Sequence, residues 1–128
     1  MAGQIQSYRD LKVWQKGMDL AATCYVETKS LPADERFGLI SQMRRAAVSV
    51  PANIAEGYGR ENRGEFIQFL RIAQGSLKEL ETHLLVTQRV YPRTVNALIP
   101  LLSQTDELGK MLRALIRALQ SKPKSSGR

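Results

Sequence analysis

The chain has 128 residues, a net charge of +7 and 43% hydrophobic residues, which fits one globular domain with a sizeable core. The longest apolar run, residues 97–102, is interrupted by Pro100 and is far too short to span a membrane, and the first ten residues hold no apolar signal core. The lone cysteine, Cys24, excludes an internal disulfide and fits a reducing compartment, so the expected location is the cytoplasm.

Helical periodicity accounts for nearly the whole chain, and no segment alternates as a half-buried strand would. The first helix is expected over residues 8–29, with Ser7 or Asp10 as cap and a seam of Leu11, Trp14, Met18, Ala21 and Tyr25. Leu31-Pro32 breaks it. The second begins within residues 33–37 and reaches about Gly57, with an apolar stripe of Met43, Ala47, Val50 and Ile54. Beside that stripe run Gln42, Arg45, Ser49, Asn53, Glu56 and Arg60, six hydrogen-bonding side chains in register. Pro51 removes a backbone donor, so a kink is expected there with the Ala47 carbonyl unpaired. Gly57-Tyr58-Gly59 is expected to end the helix through a left-handed glycine.

The third helix opens on Asn62-Arg63-Gly64-Glu65, which resembles a capping box, and runs to about Val90. Its seam is Phe66, Leu70, Ala73, Leu77, Leu80 and Leu84. Tyr91-Pro92 ends it. The fourth spans about residues 94–120, with a seam of Val95, Leu98, Leu102, Thr105, Gly109, Leu112, Ile116 and Leu119, and Pro100 predicts a kink or a later start. Gly75 and Gly109 each weaken an apolar helix by roughly 1 kcal/mol, for which a close helix crossing is the expected compensation. Connections this short make neighbours antiparallel, so the fold class is all-α, an up-down-up-down four-helix bundle over residues 1–120. A disordered basic tail is expected over residues 121–128.

Leu101, Leu108, Met111 and Leu115 lie off the fourth seam, and Phe69, Ile72 and Val86 lie off the third. They either widen a single core or form an exposed patch that joins copies of the chain; the second reading gives a homo-oligomer.

Five of the seven excess positive charges fall in the last 38 residues, and residues 110–128 hold six basic side chains and no acid. Such a field attracts nucleic acid, acidic protein or anionic lipid, while the bland reading is a solvated, dipole-favouring helix end. Lys110, Arg113 and Arg117 share one helical face at spacings of three and four, continued by Lys122, Lys124 and Arg128. Arg71 and Lys78 share a face of the third helix with Gln68. Arginines pair bidentately with phosphates, which makes these five residues (Lys110, Arg113, Arg117, Arg71 and Lys78) the candidates for nucleic-acid contact. No aromatic residue interleaves with the basic ones on the fourth helix, so binding there is expected to be backbone-led rather than a stacking platform.

No constellation reads as an active site. His83, four residues after Glu79, is the only histidine, and a bundle di-iron site wants two Glu-x-x-His pairs. It reads as a partly buried polar residue, and Cys24 as a small core residue. Glu79 and Glu81 point in different directions on a helix. Gly57-Tyr58-Gly59-Arg60 lacks the preceding strand that a phosphate-cradling loop needs, and reads as a cap and turn. No metal and no cofactor are expected. The polar stripe from Gln42 to Arg60 admits two readings: a hydrogen-bond and ion-pair network registering helices or subunits, or the lining of a groove.

SQMRRAAVSVPANIAEGYGR followed by EFIQFLRIAQGSLKELETHLLV closely resembles the four-helix-bundle proteins encoded in intervening sequences of bacterial 23S ribosomal RNA genes. YRDLKVWQKGMDLA and ELGKMLRALIRAL fit the same pattern, so the resemblance covers about residues 7–120. It implies an antiparallel four-helix bundle assembled as a homopentamer, with no established enzymatic activity. The accessory protein of diversity-generating retroelements is similar in fold; by that likeness the implied partners are RNA or DNA and a reverse transcriptase or other protein. The family's matching residues here are Arg44, Arg45, Asn53, Glu56, Gly57 and Arg60. The resulting expectation is a non-enzymatic oligomeric bundle that binds nucleic acid through a basic surface. The alternative is a protein-protein scaffold with no nucleic-acid role.

Overall fold

A computed structural model describes residues 4–123. Four long helices, α1 (Lys12–Glu27), α2 (Leu39–Gly59), α3 (Arg63–Val90) and α4 (Val95–Ser121), are joined by short 3-10 turns and loops. The fold is all-α, with no strand among the described residues. Each helix packs on two neighbours, α1 on α2 and α4, and α3 on α2 and α4, which closes a four-helix bundle. Contacts between α2 and α3 run in opposite order along the chain. Met43 meets Thr87, Ser49 meets Ser76, and Gly57 meets Phe69. Likewise Gly17 meets Pro51 while Thr28 meets Arg44, so α1 and α2 are also antiparallel.

Local sequence explains the helix ends. Ser7 Oγ accepts from the Arg9 amide and Asp10 returns a bond from the Ser7 amide, a capping box that starts a single turn ahead of α1. Asn62 Oδ1 accepts from the Glu65 amide at 2.9 Å and caps α3. α2 ends on Gly59, within the expected segment, but neither Gly57 nor Gly59 is left-handed. Instead Glu61, at φ 56°, takes the left-handed position that reverses the chain. Pro51 and Pro100 both sit inside continuous helices. Ser121, expected in the tail, is the last residue of α4; residues 124–128 of that tail lie outside the described residues.

The core confirms the stripe of α2 and the seam of α3 from Leu70 to Leu84. It revises part of the other two: Leu11, Trp14 and Ala21 of the first seam, and Leu98, Leu102, Thr105, Leu112, Ile116 and Leu119 of α4, lie in the core or pack against it as expected. In α1 the buried positions are Val13, Gly17, Leu20 and Cys24, while Met18 and Tyr25 are 46% and 45% exposed. The reason is Gly17, which faces buried Pro51 so closely that a Cβ there would stand 3.2 Å from the proline Cβ. A seam that passes through glycine is invisible to hydropathy. In α4, Leu101 and Leu108 are also fully buried, so the wider-core reading holds for them. Met111 and Leu115 pack partly against the core, whereas Ile72 and Val86 on α3 are exposed.

Candidate nucleic-acid interface

The α3/α4 seam carries a basic cluster. Arg71 and Gly75 are one turn apart on α3, and Gly109, Arg113 and Arg117 are successive turns on α4, so each set shares a helix face. Arg71 shares a groove with Arg117 while Lys78 shares one with Asp106, so α3 and α4 are antiparallel and these faces lie side by side. Arg71, Gln74, Arg113 and Arg117 line a groove of about 240 Å³ together with Ile116 and Gln120. Gln74 and Arg113 also line an adjoining groove of about 320 Å³ with Gly75, Lys78, Glu81, Asp106 and Gly109.

The expected close crossing at Gly75 and Gly109 is absent: a Cβ at either position would meet nothing within 4 Å. Both glycines line the same groove, so their missing side chains deepen it. The close approaches are at Gly17 and Gly57 instead.

Charge is unevenly spread along the seam. Lys78 Nζ pairs with Glu81 at 3.2 Å, and Lys110 Nζ pairs with Asp106 at 3.3 Å. Exposed pairs of this kind contribute little to stability, but they neutralise one end of the groove. Arg71, Arg113 and Arg117 are exposed and have no carboxylate partner among the described residues. Four of the five sequence candidates therefore line the two grooves, and Lys110 does not. Lys122 lies apart in a depression beside Arg63, whose guanidinium donates to the Lys122 carbonyl at 3.3 Å. Lys124 and Arg128 lie outside the described residues. Gln74, Gly75 and Gly109 were not singled out as site residues by sequence. The signal that finds the two glycines is the i, i+4 relation of Gly75 to Arg71 and of Gly109 to Arg113, each within its own helix.

The polar stripe of α2 divides. Asn53 Nδ2 donates to the Ser49 carbonyl at 2.8 Å and to Ser49 Oγ at 2.9 Å, and Ser49 Oγ meets Ser76 Oγ of α3 at 2.8 Å. Arg60 pairs with Glu56 at 3.1 Å and Glu65 at 3.8 Å, and its guanidinium lies 5.1 Å from the Phe69 ring centroid. These contacts tie α2 to α3. Gln42 and Arg45 are exposed.

The remaining reactive groups are committed or inert. Cys24 is buried, and that burial pushes its thiol up to about 11 against the opposing pull of the Arg44 charge. A thiol held neutral at pH 7 is a poor nucleophile. His83 Nε2 lies 3.5 Å from Glu79 Oε2 and is sealed from solvent without a hydrogen bond. Among the described residues no group of three or more His, Cys, Asp or Glu is placed to hold a metal ion. No helix there is long and apolar enough to cross a membrane.

Comparisons with known proteins agree with this architecture. The pattern of the 23S rRNA-intervening sequence protein family matches residues 9–114. A crystal structure of a protein with unknown function, from the S23 ribosomal protein family of Bacteroides thetaiotaomicron VPI-5482, is similar with a TM-score of 0.75 and 26% sequence identity. The similarity covers 82% of this chain and 95% of that one. A search of curated proteins finds no match.

Proposed function

The chain belongs to the 23S rRNA-intervening sequence protein family, and on that premise we propose that it is a non-enzymatic helical bundle that binds the phosphate backbone of RNA or DNA through the α3/α4 groove. The observation that carries this reading is the meeting of Arg71, Arg113 and Arg117 in one groove with no carboxylate partner among the described residues. Guanidinium groups left unpaired on a surface are held ready for bidentate contact with phosphate oxygens. A carboxylate neighbour, as Lys78 and Lys110 have, would have to be displaced first.

Phosphate contact of this kind is sequence-tolerant and salt-sensitive, because each neutralised phosphate releases condensed counterions. Titrating labelled RNA and DNA duplexes into the protein over a salt series tests the proposal. Binding that weakens linearly in log-log form is expected. No binding at low salt would sink it, and affinity indifferent to salt would favour an apolar protein-binding scaffold instead.

The bundle acts as a homo-oligomer in this reading. Ile72 and Val86 on α3 are 50% and 42% exposed, apolar area that a second copy would cover. Oligomerisation would also multiply the arginine grooves along one polyanion, raising avidity without new contacts. Light scattering that gives the mass of a single chain at micromolar concentration would remove this part of the proposal.

A further inference from the structure

At the end of the bundle where α2 begins, a second basic cluster has a composition that the α3/α4 groove lacks. Tyr25 from α1, Arg36 and Phe37 from the connection, and Arg44, Arg45 and Val48 from α2 surround a depression of about 460 Å³. Phe37 is 87% exposed, the largest exposure among the exposed large hydrophobic residues described.

The two rings are already partnered with guanidinium groups. Arg44 lies 4.5 Å from the Tyr25 ring centroid, and its position is fixed by donation from Nε to Thr28 Oγ1 at 3.0 Å and from Nη2 to the Tyr25 carbonyl at 3.2 Å. Arg36 lies 5.9 Å from the Phe37 centroid. None of Arg36, Arg44 and Arg45 pairs with a carboxylate among the described residues. The nearest acid in sequence, Glu35, is engaged elsewhere: it accepts from the Leu39 amide and from the Tyr91 hydroxyl.

We propose that this depression takes one unstacked nucleotide of a single strand, its base on the Phe37 ring and its phosphate on Arg36 and Arg45. The inference rests on the nucleic-acid reading above and adds strand type to it. An exposed aromatic face beside unpaired arginines is the combination that single-strand binders use, since every base has a π-face and every nucleotide a phosphate. An acidic peptide would use the three guanidinium groups but would leave the Phe37 ring bare. A duplex would offer phosphates with its bases stacked out of reach. Sequence alone hid the cluster because Tyr25 and Phe37 are separated by the Leu31-Pro32 break and only the turn back into α2 unites them.

The test compares wild type, Phe37→Ala, Phe37→Trp and the double variant Arg113→Ala/Arg117→Ala, using an oligouridylate and a hairpin duplex of equal phosphate count. Phe37 is solvent-exposed, so its replacement leaves the fold intact. Phe37→Ala is expected to weaken oligouridylate binding about tenfold and leave the duplex unchanged. Phe37→Trp is expected to keep affinity, with its added fluorescence quenched on binding. The double arginine variant is expected to weaken both ligands. Loss of both ligands alike in Phe37→Ala, or of neither, overturns the stacking site while the α3/α4 groove stands. Displacement of the oligouridylate by polyglutamate of matched charge, at matched concentration, overturns it in favour of an acidic peptide. A wild-type protein that binds neither nucleic acid overturns both proposals.

Discussion

Gly57 of α2 and Phe69 of α3 approach too closely for any side chain at position 57: a Cβ there would stand 2.5 Å from the Phe69 Cβ. The obstructing atom is next to the backbone, so the helices themselves must separate to relieve it. Gly57→Ala is therefore expected to destabilise the bundle by about 1–3 kcal/mol, read as a lower urea midpoint with an unchanged slope. Gly75→Ala and Gly109→Ala are the internal controls. Each Cβ enters open space, and each substitution is expected to stabilise by up to about 1 kcal/mol through helix propensity. Equal effects at all three positions would refute the account of the crossing.

The Asn53–Ser49–Ser76 chain is the second tie between α2 and α3. Ser76 is buried, and its only side-chain hydrogen bond among the described residues is to Ser49. Ser49→Ala and Ser76→Ala should each cost about 1 kcal/mol, and the double variant should cost less than the sum because both remove the same bond. Strict additivity in a double-mutant cycle would mean that the two hydroxyls do not interact.

The architecture was legible because leucine dominates the periodicity of α3, and Met43, Ala47, Val50 and Ile54 mark one face of α2. It failed where packing depends on what is missing. The α1 seam runs through Gly17 against Pro51, and a pattern search sees a glycine as a gap. On α4 the seam positions Leu98, Thr105, Leu112 and Ile116 are buried as expected, and Leu101 and Leu108 join them; periodicity over so leucine-rich a helix leaves the width of the buried face open. The basic residues were found from charge alone, because like charges at i, i+4 share a face. Their partners across the groove, and the Tyr25–Phe37 cluster, depend on tertiary pairing that no local signal encodes.

Cys24 gives a pH signature. Its folded pKa is raised from 9.0 to about 11, chiefly by burial, so folding favours the neutral thiol. The contribution is fully present below pH 9 and is lost as pH rises from 9 to 11, a total loss of roughly 2–3 kcal/mol. Stability relative to Cys24→Ala should therefore fall between these values. The native thiol should also resist alkylation at pH 7, and rapid labelling of the folded protein would contradict its placement.

Glu35 and Tyr91 titrate in opposite directions. The Tyr91 hydroxyl, then the Leu39 amide, hold the Glu35 carboxyl below its ordinary value, and the same hydrogen bond raises Tyr91. The Glu35 contribution is present above the unfolded carboxylate value of 4.5 and is lost as pH falls through the depressed folded one. The Tyr91 contribution is lost as pH rises through its raised value. Tyr91→Phe should thus be less stable than wild type near neutrality, with the gap closing at both extremes. A gap that stays constant from acid to alkali would show that the bond does not form in solution.

The arginine groove stands or falls on a salt slope. Each phosphate contact adds about 0.9 to the magnitude of the log-log dependence of duplex affinity on salt. Removing Arg113 and Arg117 together should lower that slope by about 2 relative to wild type and weaken binding at every salt concentration, with little dependence on sequence. An unchanged slope in the double variant, with wild-type affinity, would contradict the claim that this groove holds the nucleic-acid backbone.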